Sequence, residues 1–170
     1  MTSISRDAHW LTWQQESLLV VYDKKAFLAC RLPNLINMVS SSPSALGGTV
    51  VFATSSDHSH PPANVIDGDT ETFWMSTGMF PQQVTIRFEK SVTLTELTVE
   101  SYNVKHLKIE ECTAGNPSNF QHVTDKEFER TEGHLQSNSI LLKGSSATHL
   151  RLTVTAGYDA FISMHRAMLH

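Results

Sequence analysis

The segment VTIRF, residues 84–88, shows most clearly the pattern from which the fold is inferred. Val84, Ile86 and Phe88 are apolar, and each is separated from the next by one polar residue. Successive side chains of a β-strand point to opposite faces, so this alternation predicts a strand with one face in a core and the other in solvent.

The same two-residue period recurs along most of the chain, while helical periodicity is almost absent. The apolar or alternating runs are LINMV (35–39), TVVFA (49–53), LTELTVESY (94–102), HLKIE (106–110) and LRLTV (150–154). Turn-forming clusters separate them: SSSPSALGG (40–48), AGNPSN (114–119), TEGH (131–134) and KGSS (143–146). The closing segment FISMHRAML (161–169) fits either a strand or a short helix. Short strands with regular turns predict an all-β fold, an antiparallel sandwich or jelly roll.

The first 33 residues differ from the rest of the chain. Trp10 and Trp13 and the apolar run at 18–22 follow no clean period, and RLPN (31–34) interrupts whatever precedes it. We therefore divide the chain into an N-terminal extension, residues 1–33, which we expect to be poorly ordered, and a β-sandwich domain, residues 34–170. An alternative is that the two tryptophans cover an exposed sheet edge.

The charge balance argues against two classes of partner. The 170 residues include 13 Lys and Arg against 17 Asp and Glu, a net charge of −4, and the basic residues are scattered. A nucleic-acid-binding protein or a polybasic membrane-surface protein usually concentrates its positive charge. We expect neither partner, and no membrane insertion.

The cysteines and the N-terminus favour a reducing compartment. Only Cys30 and Cys112 occur, far apart in the sequence, so a disulfide framework is not expected. The apolar run at 18–22 is too short for a membrane span, and the charged residues 23–25 interrupt the one candidate signal region. These features predict a cytoplasmic protein.

A long connection, residues 53–82, holds the candidate site. Asp67, Gly68 and Asp69 form a turn with Thr72 close behind and Asn64 just before it. Calcium takes six to eight hard oxygen ligands from carboxylates, hydroxyls and carbonyls, and a bound ion would order such a loop. In the alternative interpretation, the carboxylate of Asp67 simply caps its own turn, which is common for Asp-Gly.

Two aromatic residues and an apolar tip follow the candidate site. We predict that Phe73 and Trp74 form a buried plug beneath the loop. Met79 and Phe80, between a glycine and a proline, suit either a place in the core or a docking patch at the interface with a partner protein.

Several segments together resemble one family. They are ATSS (53–56), HPP (60–62), IDG (66–68), ETFW (71–74), TGMFPQ (77–82), SYNVKHLKIE (101–110), TEGHLQ (131–136) and GSSATHLRL (144–152). From about residue 35 onward the chain resembles the intraflagellar transport subunit 25 family, some members of which carry a small heat-shock-protein name.

That resemblance implies a galactose-binding-domain-like jelly roll with a calcium ion held by Asn64, Asp67 and Thr72. It also implies a non-enzymatic subunit of the intraflagellar transport B complex, paired with a Rab-like small GTPase, transport subunit 27. The implied setting is the cilium and cytoplasm, in BBSome export and Hedgehog signalling. Related sandwiches often add an acidic ligand from the last strand. This chain has no Asp or Glu after Asp159, which predicts weakened calcium binding.

Other functions have less support. His58 and His60 are the only closely spaced histidine pair, and no Cys or carboxylate stands at partnering distance in sequence, so we do not predict zinc. Five other histidines are expected at the surface or at sheet edges: His106, His122, His134, His149 and His165. No nucleophile elbow, phosphate-binding loop or dinucleotide fingerprint occurs, which argues against an enzyme. A carbohydrate-binding module and a small-heat-shock-like chaperone remain the alternatives.

Overall fold

The computed structural model describes residues 41–115 and 117–170. The predictions for the extension, for its boundary with the domain, for the strand at 35–39 and for Cys30 lie outside these residues.

The described chain forms seven strands and two short 3₁₀ helices. The strands are β1 (Gly48–Ala53), β2 (Trp74–Met75), β3 (Gln82–Tyr102), β4 (Val104–Cys112), β5 (Gln121–Glu127), β6 (Gln136–Gly157) and β7 (Ser163–Leu169). The 3₁₀ helices span Ser44–Leu46 and Pro62–Val65. Every strand pair is antiparallel, which confirms the all-β, antiparallel prediction, and the closing segment is a strand. Within the described residues, no helix is long and apolar enough to cross a membrane.

Strands β3 and β6 are longer than the sequence pattern indicated. The separate runs at 84–88 and 94–102 belong to the single strand β3. The prediction of a turn around Gly144 is wrong. Gly144 lies inside β6 with φ of 71°, where the pairing register with β3 shifts. A glycine adopts this left-handed conformation without strain, so the segment KGSS forms an irregularity within the strand instead of ending it.

The two long strands belong to both layers of the sandwich. The first half of β3 pairs with β1 and with the second half of β6, which continues to β4 and β5. The second half of β3 pairs with the first half of β6 and with β7, whose other edge holds β2. We call these the five-stranded and four-stranded layers. Irregular pairing along β3 and β6 allows the bends that join them.

The core between the layers is built from the alternating apolar positions. Val84, Ile86 and Phe88 are buried as predicted. They pack in one cluster with residues of both layers: Leu94, Leu97, Val99, Leu107, Ile109, Leu150, Leu152, Val154 and Met164. Burial of these side chains is the main source of stability, at about 25 cal/mol per Å² of apolar surface removed from water.

Candidate functional site

The candidate loop is anchored by Trp74. Its indole is fully buried, and Nε1 donates a hydrogen bond to the carbonyl oxygen of Ser55 at 3.0 Å. This confirms the predicted plug for Trp74. Phe73 is only half-buried: its ring stacks between His60, with centroids 4.0 Å apart, and His165, with centroids 4.9 Å apart. A bulky aromatic thus holds the end of the loop against the core, while its neighbour forms a three-ring stack.

The turn at Asp67 is organised by its carboxylate. Oδ1 accepts a hydrogen bond from the backbone N–H of Asp69 at 2.9 Å, and Oδ2 accepts one from Thr72 Oγ1 at 2.7 Å. Gly68 has φ of 83°, which suits glycine at the bend. Asp69 in turn accepts a hydrogen bond from the backbone N–H of Glu71 at 2.9 Å. Asp67 therefore caps its own turn, as the alternative interpretation expected.

The three predicted metal ligands lie in one loop, but only two of them are hydrogen-bonded to each other. Asp67 and Thr72 are in direct side-chain contact. Asn64 instead donates from Nδ2 to the carbonyl oxygen of Phe73 at 3.0 Å, so its Oδ1 is the end of the amide left for another partner.

The side chains of Asn64, Asp67 and Thr72 offer oxygen ligands of the type that calcium binds. A carboxylate, a hydroxyl and an amide oxygen are all hard ligands of the kind that calcium prefers. Among residues 41–115 and 117–170, no group of three or more His, Cys, Asp and Glu side chains is placed to hold a metal ion. The three side chains thus have the type of oxygen atom that calcium binds, and the remaining ligands would have to be carbonyl oxygens or water. The calcium site stays a prediction.

Three histidines have partners or burial that the sequence did not indicate. His60 Nδ1 lies 3.1 Å from Asp57 Oδ1, a carboxylate partner that sequence spacing did not reveal. The hydrogen bond from His60 lowers the pKa of Asp57. The surface placement is wrong for His149, which is 2% exposed and whose pKa burial lowers. Within the described residues, the buried Nδ1 of His165 has no hydrogen-bond partner, and burial also lowers the pKa of this side chain.

The apolar tip separates into a buried and an exposed part. Phe80 packs against the core, whereas Met79 is 89% exposed. Met79 and Phe161, which is 55% exposed, line a cavity of about 460 Å³. Sequence reasoning missed Phe161, because an isolated apolar residue before a strand carries no signal of exposure. The place in the core is thus confirmed for Phe80, while a docking patch at Met79 stays a prediction.

Trp74 offers no platform to the carbohydrate-binding alternative. A sugar site commonly uses an exposed aromatic ring beside polar groups. Trp74 is the tryptophan of the described domain, and its indole lies entirely inside the core. It therefore cannot stack on a sugar.

Comparison with known proteins gives one family match and several similar relatives. The F5/8 type C domain family matches residues 50–166. The Homo sapiens intraflagellar transport protein 25 homolog is 46% identical over 122 residues, covering 72% of this chain and 85% of that protein. The Chlamydomonas reinhardtii intraflagellar transport protein 25 is 34% identical over 120 residues, covering 71% and 63% respectively.

Solved structures share the fold at low sequence identity. The family 32 carbohydrate-binding module of Clostridium perfringens NanJ, in complex with galactose, is 15% identical with a TM-score of 0.64, covering 77% of this chain and 98% of the module. This likeness shows a common galactose-binding-like sandwich and nothing about ligands.

Proposed function

This chain belongs to the intraflagellar transport protein 25 family, and we propose that it is a non-catalytic subunit of the intraflagellar transport machinery. The observation that carries the proposal is 46% identity to the human relative across 85% of that protein's length. The match covers most of this chain and most of the relative. Such a subunit acts by holding other proteins, so its surfaces matter more than any reacting group.

The finer proposal is membership of the intraflagellar transport B complex as a heterodimer with a Rab-like small GTPase, transport subunit 27. The complex would act in the cilium and cytoplasm, in BBSome export and Hedgehog signalling. It is supported by the motif resemblance and by an apolar tip suited to a protein partner. Met79 and Phe161 offer exposed apolar surface of the kind that recurs in protein interfaces.

Affinity purification from ciliated cells tests this function. The tagged chain is recovered, and its partners are identified by mass spectrometry. We expect the GTPase and other B-complex subunits. Recovery of no intraflagellar transport subunit would contradict the proposal, and suppression of client aggregation by the isolated chain at low molar ratio would favour the chaperone alternative.

The tip provides a matched pair of variants for the GTPase contact. Met79→Ser removes an exposed apolar side chain from the tip, and Leu141→Ser removes an 80% exposed one from β6 as a control. We expect Met79→Ser to weaken recovery of the GTPase and Leu141→Ser to leave it unchanged, with both melting temperatures near that of the wild type. Equal recovery by the two variants would exclude the tip from this interface.

We also propose that Asn64, Asp67 and Thr72 hold a calcium ion. Its chemical contribution would be to bind the loop oxygens together in place of hydrogen bonds within the turn. Calcium at 100 times its dissociation constant would add about 2.7 kcal/mol to the free energy of unfolding. We expect a chelator to lower the melting temperature of the wild type and of Asp69→Ala, but not of Asp67→Ala. An unchanged melting temperature of the wild type in the presence of the chelator would contradict the calcium site.

A further inference from the structure

One row of side chains crosses the outer face of the five-stranded layer. Phe52 of β1 pairs with Thr85 of β3, Thr85 with Arg151 of β6, Arg151 with Glu110 of β4, and Glu110 with His122 of β5. The chain neighbours of this row on β3 and β6 point into the core, so the row itself faces outward. It brings an aromatic residue and an ion pair onto one surface.

Arg151 is held in place from two sides. Its Nε donates to Glu110 Oε2 at 2.8 Å, and its guanidinium carbon lies 3.9 Å from the centre of the Phe120 ring. Lys108 Nζ binds the other oxygen of Glu110 at 2.9 Å. A guanidinium has five N–H donors, and the described residues accept a hydrogen bond from only one of them. The guanidinium is therefore rigid and has donors left over.

A groove of about 310 Å³ opens beside this guanidinium. Val51 and Phe52 of β1, which are 47% and 52% exposed, and Phe120 contribute its apolar lining. Thr85 and Arg151 also line the groove, together with Gln83 and Pro117. We call this surface the Arg151 groove.

The local charge of the groove is opposite to that of the chain. Glu110 binds both Arg151 and Lys108, and Asp125 of β5 stands opposite Lys108 in the strand pairing. Arg87 is exposed on the same face of β3, so three positive charges face two negative ones and leave one positive charge. The whole chain carries −4, so a positive, aromatic-lined groove is complementary to a negative group that also presents apolar surface.

We propose that the Arg151 groove docks a partner-protein segment in which a carboxylate side chain stands beside an apolar or aromatic one. The carboxylate pairs with the free donors of Arg151, and the apolar side chain packs against Phe52 and Phe120. Arginine often dominates the binding energy at protein interfaces, and Phe is enriched there.

This inference rests on the proposed function, in which the chain binds a GTPase and also contacts another subunit of the complex. The tip around Met79 serves the GTPase, and the Arg151 groove serves another subunit.

The first test uses the tagged chain in ciliated cells. Phe52→Ser removes an exposed ring without leaving a buried charge, and Arg151→Met removes the guanidinium. Leu141→Ser, on the first half of β6, is the matched control. We expect the two groove variants to recover at least tenfold less of the other transport subunits while keeping the GTPase. Unchanged recovery by both variants would overturn the proposal.

The second test measures the chemistry of the groove without relying on the complex. The ¹⁵N-labelled full chain is titrated with the peptide acetyl-Leu-Glu-Phe-Glu-amide and with acetyl-Leu-Gln-Phe-Gln-amide. We expect backbone amide shifts at Phe52, Thr85 and Arg151 with the glutamate peptide only. No shift with either peptide, or equal shifts with both, would overturn the carboxylate assignment.

The two tests separate the possible failures. If the wild-type chain recovers no transport subunit while the glutamate peptide binds, the proposed function fails and the groove stands. A concentration-dependent dimer that Phe52→Ser dissolves would make a second copy of this chain the occupant and overturn the proposal.

Discussion

Gln136 offers a strong test of how the corner of the sandwich is held. It begins β6, is 2% exposed, and makes four hydrogen bonds through its side-chain amide. Oε1 accepts from Ser101 Oγ at 3.2 Å and from the backbone N–H of Val104 at 3.0 Å. Nε2 donates to the carbonyl oxygens of Val104 at 2.7 Å and Glu129 at 2.8 Å. One amide thus joins the β3–β4 turn to the segment that precedes β6.

Replacing this amide with a side chain of similar length isolates its contribution. Gln136→Met removes all four hydrogen bonds, each worth about 1 kcal/mol net. Val104 is fully buried, so its backbone groups would lose these partners out of reach of water. A buried polar group left without its partner costs about 1–3 kcal/mol. The apolar Met side chain recovers part of this cost, and we expect a net loss of about 3–5 kcal/mol in the free energy of unfolding.

Urea denaturation followed by circular dichroism measures the loss. With a denaturant slope of about 2 kcal/mol per M, the midpoint of Gln136→Met should fall by roughly 2 M. The control is Gln83→Met, because Gln83 is half-buried and donates one side-chain hydrogen bond, to Thr85 Oγ1 at 3.2 Å. We expect less than about 1 kcal/mol there. Equal midpoints for the two variants would show that the four hydrogen bonds of Gln136 do not stabilise the fold.

Further perturbations address the plug, the ion pair and the long strand. Trp74→Phe should cost about 2–3 kcal/mol by calorimetry, because it removes the bond to Ser55 and leaves a cavity; a smaller loss than 1 kcal/mol would contradict this. Burial raises the pKa of Glu110, but hydrogen bonds from Arg151 and Lys108 outweigh it and lower the pKa below 4.5. The unfolded chain then binds more protons, so this stabilisation is present above pH 4.5 and is lost as the pH falls through the lowered folded value. In Glu110→Gln the melting temperature should fall less as the pH drops below 4.5. A pH dependence equal to that of the wild type would contradict this expectation. Gly144→Ala should cost about 1 kcal/mol in urea, because φ is 71°; no loss would mean that the backbone relaxes.

Local patterns in the sequence determined several of the strands and much of the core, but not β2, β5 or the first half of β6. Val84, Ile86 and Phe88 are buried because alternation along a strand places every second side chain on one face, whatever that strand pairs with. Trp74 was predictable for a similar reason, since a large aromatic at the end of a turn-rich loop needs burial. The contact between Asp67 and Thr72 spans five residues, and Asp-Gly chemistry is sufficient to predict a turn there.

The tertiary structure was needed to show how the strands are joined and which distant side chains share one surface. The local sequence around Gly144 predicts a turn, and the residue does have a left-handed conformation. Pairing with β3 on both sides nevertheless keeps it within β6, so that this one strand belongs to both layers. Likewise, Phe52, Glu110 and Arg151 are distant in sequence and meet because three separate strand pairings align them in one row. Register between strands depends on contacts across the whole chain, so no local pattern of residues encodes the Arg151 groove.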